Sequence, residues 1–340
     1  MAKIICGLGT SHGPLLAIPP EEWHLRADND RRVPAHPWRG KSYSFAELAE
    51  LRRDERLEEQ ITLAMRQQRF AACQAAMDRL ADLWAASGAD AAVIFGNDQM
   101  EIFARDNIPG FAVYYGKEIA SSPLSEAELA KKPPGIALAE ASYRPAEPRR
   151  YPGQPELALH LIAALIEAGF DVGASDDLPA GKSGVPRVPH AYGFVYERIM
   201  RGKVVPNVPV LTNTFYPPNQ PRAQRCIAMG RAVARAIMGW NSDARIGLFG
   251  SGGLTHYAID ETLDRHVLSA LERGNVDSLR DLPENQLQVG TSEIKNWLPL
   301  AAACEEAGLP VRFLDYVPCY RSEAGTGNAM AFAWWGEEKS

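Results

Sequence analysis

Short apolar runs that end in polar, glycine-bearing turns recur along this chain, with helical stretches between them. That alternation restricts the fold more than any other feature of the sequence. The first run, Ile4 to Leu8, is followed by Gly9-Thr10-Ser11-His12-Gly13-Pro14. A short uninterrupted apolar run bounded by Gly and Pro reads as a strand buried inside a parallel sheet. In open α/β sheets ligands bind outside the carboxyl ends of the strands, so His12 stands where a site is expected. Further strands are predicted at Ala89 to Phe95, 108–116, Val208 to Thr212, Ala244 to Phe249 and Val311 to Tyr316. Helices are predicted over Ser44 to Ser87, opened by the capping box Ser44-Phe45-Ala46-Glu47, and over Pro155 to Gly169, Pro221 to Trp240 and Gly290 to Ala307. The pattern predicts an α/β fold, a single large domain over 1–340 with a mostly parallel or mixed central sheet and helices on both faces.

Composition removes several classes of function. At 46% hydrophobic and 23% charged, the 340 residues are ordinary globular sequence. The net charge of −6 and the lack of a basic block argue against a nucleic-acid partner. No apolar stretch approaches a membrane span, and the first one is too short for a signal peptide and ends in Gly-Leu-Gly. Five scattered cysteines without a CxxC pair predict a cytoplasmic protein with neither a disulfide framework nor a thiolate metal site. Any metal would then rest on His, carboxylate or amide ligands.

Two segments read as irregular excursions near a site. Residues 15–45 are rich in charge and aromatics, among them Trp23, His24, Arg26, Asp30, His36 and Trp38; residues 121–153 are Pro-rich. Polar groups gather at five places: His12, Asn97-Asp98-Gln99 with Glu101, His190 in Pro189-His190-Ala191-Tyr192-Gly193, His256 in Gly250-Ser251-Gly252-Gly253-Leu254-Thr255-His256, and Glu293. Each has a bland reading. Asn and Asp cap turns, a histidine after a strand is often a satisfied loop residue, and a glutamate in a first helical turn suits the helix dipole. His190 reads as held in a stiff loop, and His256 as presented by a flexible glycine turn.

Taken together and in this order, the segments resemble the catalytic subunit of class III extradiol ring-cleavage dioxygenases, the protocatechuate 4,5-dioxygenase superfamily. The motifs are Thr10-Ser11-His12-Gly13-Pro14, Asn97-Asp98-Gln99, Pro189-His190, Gly250 to His256, and Glu293. The branch that Phe95-Gly96-Asn97-Asp98-Gln99-Met100-Glu101 and Asn213 to Pro221 resemble is 3-O-methylgallate 3,4-dioxygenase. The resemblance implies a non-haem Fe(II) held by two histidines and a glutamate, with O2 and an aromatic diol as substrates. It places metal ligands at His12 and Glu293 and puts Gln99 where the family has its second histidine. Gln99 is a weaker donor, which leaves His24, His36, Asp98 and Glu101 as alternatives for completing the set. The resemblance makes His256 the acid/base and His190 a residue that contacts substrate or oxygen. Substrate contacts are expected from Thr10, Asn97, Arg321 and Ser322, the last two for a carboxylate. With no small helical partner subunit in evidence in the sequence, a homodimer is expected. The competing reading is a non-catalytic relative that binds an aromatic acid or a partner subunit. A metal hydrolase on the same scaffold is a third, since the same ligands would also activate water.

Overall fold

The computed structural model describes residues 1–337, the side chain of Lys182 excepted. The chain opens with β1 (Lys3–Thr10), α1 (Trp23–Asp30), the hairpin β2 (His36–Trp38) and β3 (Lys41–Tyr43), α2 (Phe45–Leu51), α3 (Leu63–Ser87) and β4 (Ala91–Asn97). Then come β5 (Phe111–Tyr114), β6 (Glu118–Ser121), α4 (Glu126–Leu129), α5 (Pro134–Ala139), β7 (Arg149–Pro152), α6 (Pro155–Glu167), β8 (Gly173–Ser175) and α7 (His190–Phe194). The last part holds β9 (Asn207–Thr212), α8 (Ala223–Gly239), β10 (Arg245–Ser251), β11 (His256–Ala258), α9 (Glu261–Glu272), α10 (Ile294–Glu306), β12 (Val311–Tyr320) and β13 (Thr326–Trp335).

One large sheet runs β11-β13-β1-β10-β4-β9-β5-β8, with β12 paired to β13. Strands β1, β10, β4 and β9 are parallel, while β13 and β5 flank them in the antiparallel sense. The sheet is therefore mixed, with a parallel centre. Side chains of the central strands alternate between two cores, as a period of two requires. Ala91, Val93 and Phe95 of β4 join one core with α6, α8 and α10. Ala92 and Ile94 join the other, with α3 and α7. Helices thus cover both faces, and β4 is buried on both sides as its continuous apolar run requires.

The structure departs from the sequence reading in several places. The long helical run from Ser44 breaks after α2 into short 3-10 turns, with Arg56 in a left-handed conformation (φ 52°), before α3 begins. Neither expected excursion is irregular: residues 15–45 carry α1 and the β2–β3 hairpin, and residues 121–153 carry α4, α5 and β7. The tail after Gly325 is β13, a strand with all ten residues buried beside β1. His190 is the first residue of α7, not a loop residue, and His256 begins a strand. No helix among the described residues is long and apolar enough to cross a membrane.

Candidate active site

The parallel strands end together. Thr10 lies opposite Ser251, and Asn97 opposite Thr212. The turns that follow converge, and a 3-10 turn over Val289–Glu293 delivers Glu293 to the same place at the start of α10. Strand β11 sets His256 opposite Asn328 of β13. These elements form a cavity of ≈ 200 Å³ lined by His12, Gln99, His190, His256 and Glu293, among others. Both excursions reach it: Arg26 comes from α1, and Ile136, Glu140 and Tyr143 from residues 121–153.

Glu293 is the centre. It is buried, and Gln99 Nε2 donates to its Oε1 at 2.9 Å while the Gly253 amide donates to its Oε2 at 2.8 Å. Asn97 Nδ2 stands 3.4 Å from Oε1 and is itself held through its Oδ1 by Asn296 Nδ2 at 2.9 Å. His12 Nε2 lies 3.3 Å and His256 Nε2 3.7 Å from Oε2. Burial pushes the carboxyl group up, but the field of His12, His256 and His190 outweighs it and holds Glu293 well below the usual carboxylate range.

Each of the three imidazoles has its Nδ1 engaged by a fixed partner. Ser251 Oγ donates its own proton to the Ala191 carbonyl at 2.6 Å, so it accepts from His12 Nδ1–H at 2.9 Å. His256 Nδ1–H donates to the Leu254 carbonyl at 2.8 Å. His190 Nδ1 lies 2.7 Å from Glu101 Oε2, which also accepts the His190 amide at 2.9 Å. Arg144 holds the other oxygen of Glu101 at 2.9 Å. Fixing one ring nitrogen in this way leaves the other as the donor atom, the arrangement that orients metal-ligating histidines. Burial works against the charged forms of Glu101 and His190, but their pairing prevails: Glu101 falls to about 2 and His190 is raised. His256 has only a backbone carbonyl on Nδ1, and burial lowers its pKa.

A metal ion suits this donor set. His12 Nε2 is buried and without a hydrogen-bond partner. Held through Nδ1 by Ser251, the ring aims Nε2 at a carboxylate oxygen 3.3 Å away, an approach between two potential ligand atoms that suits a cation bound by both. His12, His190 and Glu293 each offer a ligand atom within 4.8 Å of the others. Two nitrogens and a carboxylate oxygen form the facial set used for non-haem Fe(II) with open positions.

The remaining expected residues fall into two groups. Gln99 joins the cluster through its amide N–H on Glu293. Arg321 lines the cavity, but Nε and Nη2 are bound to Asp30 at 2.6 and 3.0 Å and Nη1 to Asn328 Oδ1 at 3.0 Å. That leaves its guanidinium little to offer a ligand. Ser322 is buried against Thr326 Oγ1, Thr10 Oγ1 donates to the Ser11 carbonyl, and Asn97 lies behind Glu293; none of these three lines the cavity. Asp98 accepts three backbone amides of its own turn, from Glu101, Ile102 and Phe103, the bland reading of that residue. His24 is exposed, and His36 is bonded to the Asp30 carbonyl; both stand outside the cluster. Ser251 and Asn296 join the site without a signal of their own in the sequence, Ser251 within the glycine turn before His256 and Asn296 one helical turn after Glu293.

The Arg321–Asp30 pair is 1% exposed on both sides. Replacing Asp30 with alanine is expected to lower unfolding free energy by about 3–5 kcal/mol, because a buried guanidinium loses its counter-charge. Denaturant unfolding measures this; a change under about 1 kcal/mol would contradict the pairing.

A mixed α/β sheet whose parallel strand ends gather histidines around one buried glutamate presents a candidate metal site and not the glycine pattern of a dinucleotide-binding turn. Residues 63–330 match the family described as the catalytic LigB subunit of aromatic ring-opening dioxygenase, and the chain belongs to that family. A crystal structure of the uncharacterized protein JW3007 from Escherichia coli K12 is similar to it at 14% identity, covering 76% of this chain and 91% of that one with a TM-score of 0.42.

Proposed function

We propose that this chain is a non-haem Fe(II)-dependent extradiol dioxygenase that opens the ring of a diol-bearing benzoate of the 3-O-methylgallate or gallate type. The observation that carries the reading is one buried carboxylate faced by imidazole nitrogens whose other nitrogens are all tied down. His12 and Glu293 would hold the metal. His190 is the third donor, because imidazole is the stronger ligand and Glu101 stands behind it as such ligands require. A second reading, favoured by the 2.9 Å approach of its amide to Glu293, gives that position to Gln99 and leaves His190 to contact substrate or oxygen. Bound Fe(II) would supply the redox chemistry that brings O2 and an aromatic ring together.

The protein's own part is proton handling and exclusion of water. A diol must lose a proton to become a good chelate, and His256 Nε2 carries a lone pair for it, its Nδ1–H being held by the Leu254 carbonyl. The lowered pKa keeps this imidazole neutral and ready to accept. The same Nε2–H is then placed to return the proton to an oxygen of the opening ring. Tyr143, buried beside His190, fixes the His12 turn by donating to the His12 carbonyl at 2.9 Å.

Two glycines make room for the His256 ring. A Cβ on Gly253 would fall 2.6 Å from its Cε1, and one on Gly290 would collide with its Cδ2 and Nε2. Gly290→Ala is therefore expected to lower turnover by roughly 10- to 100-fold, since a displacement of about 1 Å at a reacting group costs that much. Steady-state oxygen uptake measures it; an unchanged rate would remove His256 from the chemistry.

The test of the whole reading is anaerobic reconstitution with Fe(II), followed by oxygen uptake with 3-O-methylgallate, gallate and protocatechuate in parallel. Uptake of one O2 per ring opened is expected. Bound iron with turnover but no O2 uptake would favour a hydrolase, and failure to bind iron would favour a non-catalytic relative.

A further inference from the structure

We propose that Arg26 binds the carboxylate of the aromatic acid in this cavity and thereby selects anionic rings over neutral ones. The inference rests on the reading of the site given above and names the residue that would set its substrate class. Arg26 belongs to α1 and lines the same cavity as His12, His256 and Glu293. It is only 6% exposed. Its Nε is buried with no hydrogen-bond partner, and among the described residues no carboxylate forms an ion pair with its guanidinium.

A buried guanidinium without a counter-ion is costly, and stable proteins keep one where something else supplies the charge. The nearest natural partner is Asp30, one helical turn along α1. Both of its oxygens are already bound to Arg321, and Thr326 Oγ1 donates to Oδ2 as well. Lys132, another cation at the cavity, is held by Glu140 at 2.9 Å. Arg26 is therefore the cavity arginine without a committed anion. Burial and then the nearby Arg321 weigh against its charge more than the field of Asp30 favours it, a balance that an entering anion would redress.

The chemistry points to a carboxylate. A guanidinium offers two parallel N–H groups that match one carboxylate, and one positive charge balances one acid group. The arm is also held in place. The Arg26 stem crosses Gly135 of α5 so closely that a Cβ there would lie 2.6 Å from its Cδ and 2.9 Å from its Cγ. This position is distinct from Arg321 and Ser322, whose polar groups are engaged within the protein.

The test compares 3,4-dihydroxybenzoate with 3,4-dihydroxybenzamide, which keeps the diol and the shape but removes the charge. Binding is measured by calorimetry to the metal-free protein, and kcat/KM by oxygen uptake after Fe(II) loading. Wild type is expected to favour the acid by roughly 10- to 100-fold, the range of a charge-assisted hydrogen-bonding pair. Arg26→Met, which keeps the apolar stem, is expected to bring the ratio near one in both measurements, the acid losing more than the amide. Arg26→Lys is expected to fall between. An undiminished preference in Arg26→Met, or no preference in wild type, would overturn the proposal. Acid selectivity through Arg26 in the metal-free protein, without oxygen uptake by the iron-loaded enzyme, would instead overturn the dioxygenase reading and leave the carboxylate site standing.

Discussion

Replacing Glu293 with alanine is expected to abolish retention of Fe(II), with affinity falling by more than about 100-fold, beyond the loss typical of removing a partner that merely supports a ligand. Glu293 is the one group that His12, His256, Gln99 and the Gly253 amide all face. Without it, the imidazoles surround no anion, and a divalent cation would enter a site with no negative charge at its centre. His12→Ala is expected to behave alike, because His12 Nε2 faces Glu293 with no hydrogen bond of its own and is free to take a cation. Iron analysis after anaerobic loading and gel filtration measures both, and thermal melting confirms that the variants fold. Full iron retention in either would remove that residue from the ligand set. The same assay separates the two candidates for the third position. If His190 is the donor, His190→Ala loses iron and Gln99→Ala loses far less; if Gln99 is the donor, the order reverses.

Much of this site was legible in the sequence because its parts sit at strand ends, where backbone grammar is strong. His12 follows a continuous apolar run, Gln99 follows another, and Glu293 opens a helix, so sheet topology alone brings them together. What could not be read was which polar groups are already satisfied. Arg321 and Arg26 look alike as residues, yet Asp30 folds onto one and leaves the other open; that choice is made by β13, a strand hidden in an Ala- and Gly-rich tail. The glycines before His256 were read as flexibility, whereas Gly253 and, from another segment, Gly290 act by lacking a Cβ where a ring must pass. Pro189 before His190 suggests a loop, yet His190 opens α7. Proline before a helix is compatible with starting one, and the carboxylate of Glu101 receives the first amide of α7.

His256→Phe is expected to keep iron and lose turnover by roughly 10²- to 10⁴-fold, the range for removing a positioned general acid–base. The two outcomes together decide its role. His256 Nε2 is farther from Glu293 than His12 Nε2 is, at 3.7 against 3.3 Å, and its Nδ1 partner is a neutral carbonyl where His190 has the Glu101 carboxylate. That environment favours a neutral, proton-accepting ring over a charged one. Phenylalanine keeps a flat ring between Gly253 and Gly290 and removes both nitrogens. The Leu254 carbonyl loses its donor, which is expected to lower stability by about 1–3 kcal/mol without unfolding the protein. Loss of iron alongside turnover would make His256 a ligand and return His190 to the substrate. Turnover near the wild-type rate would mean that the diol gives its proton to another group, and the acid–base assignment would fall.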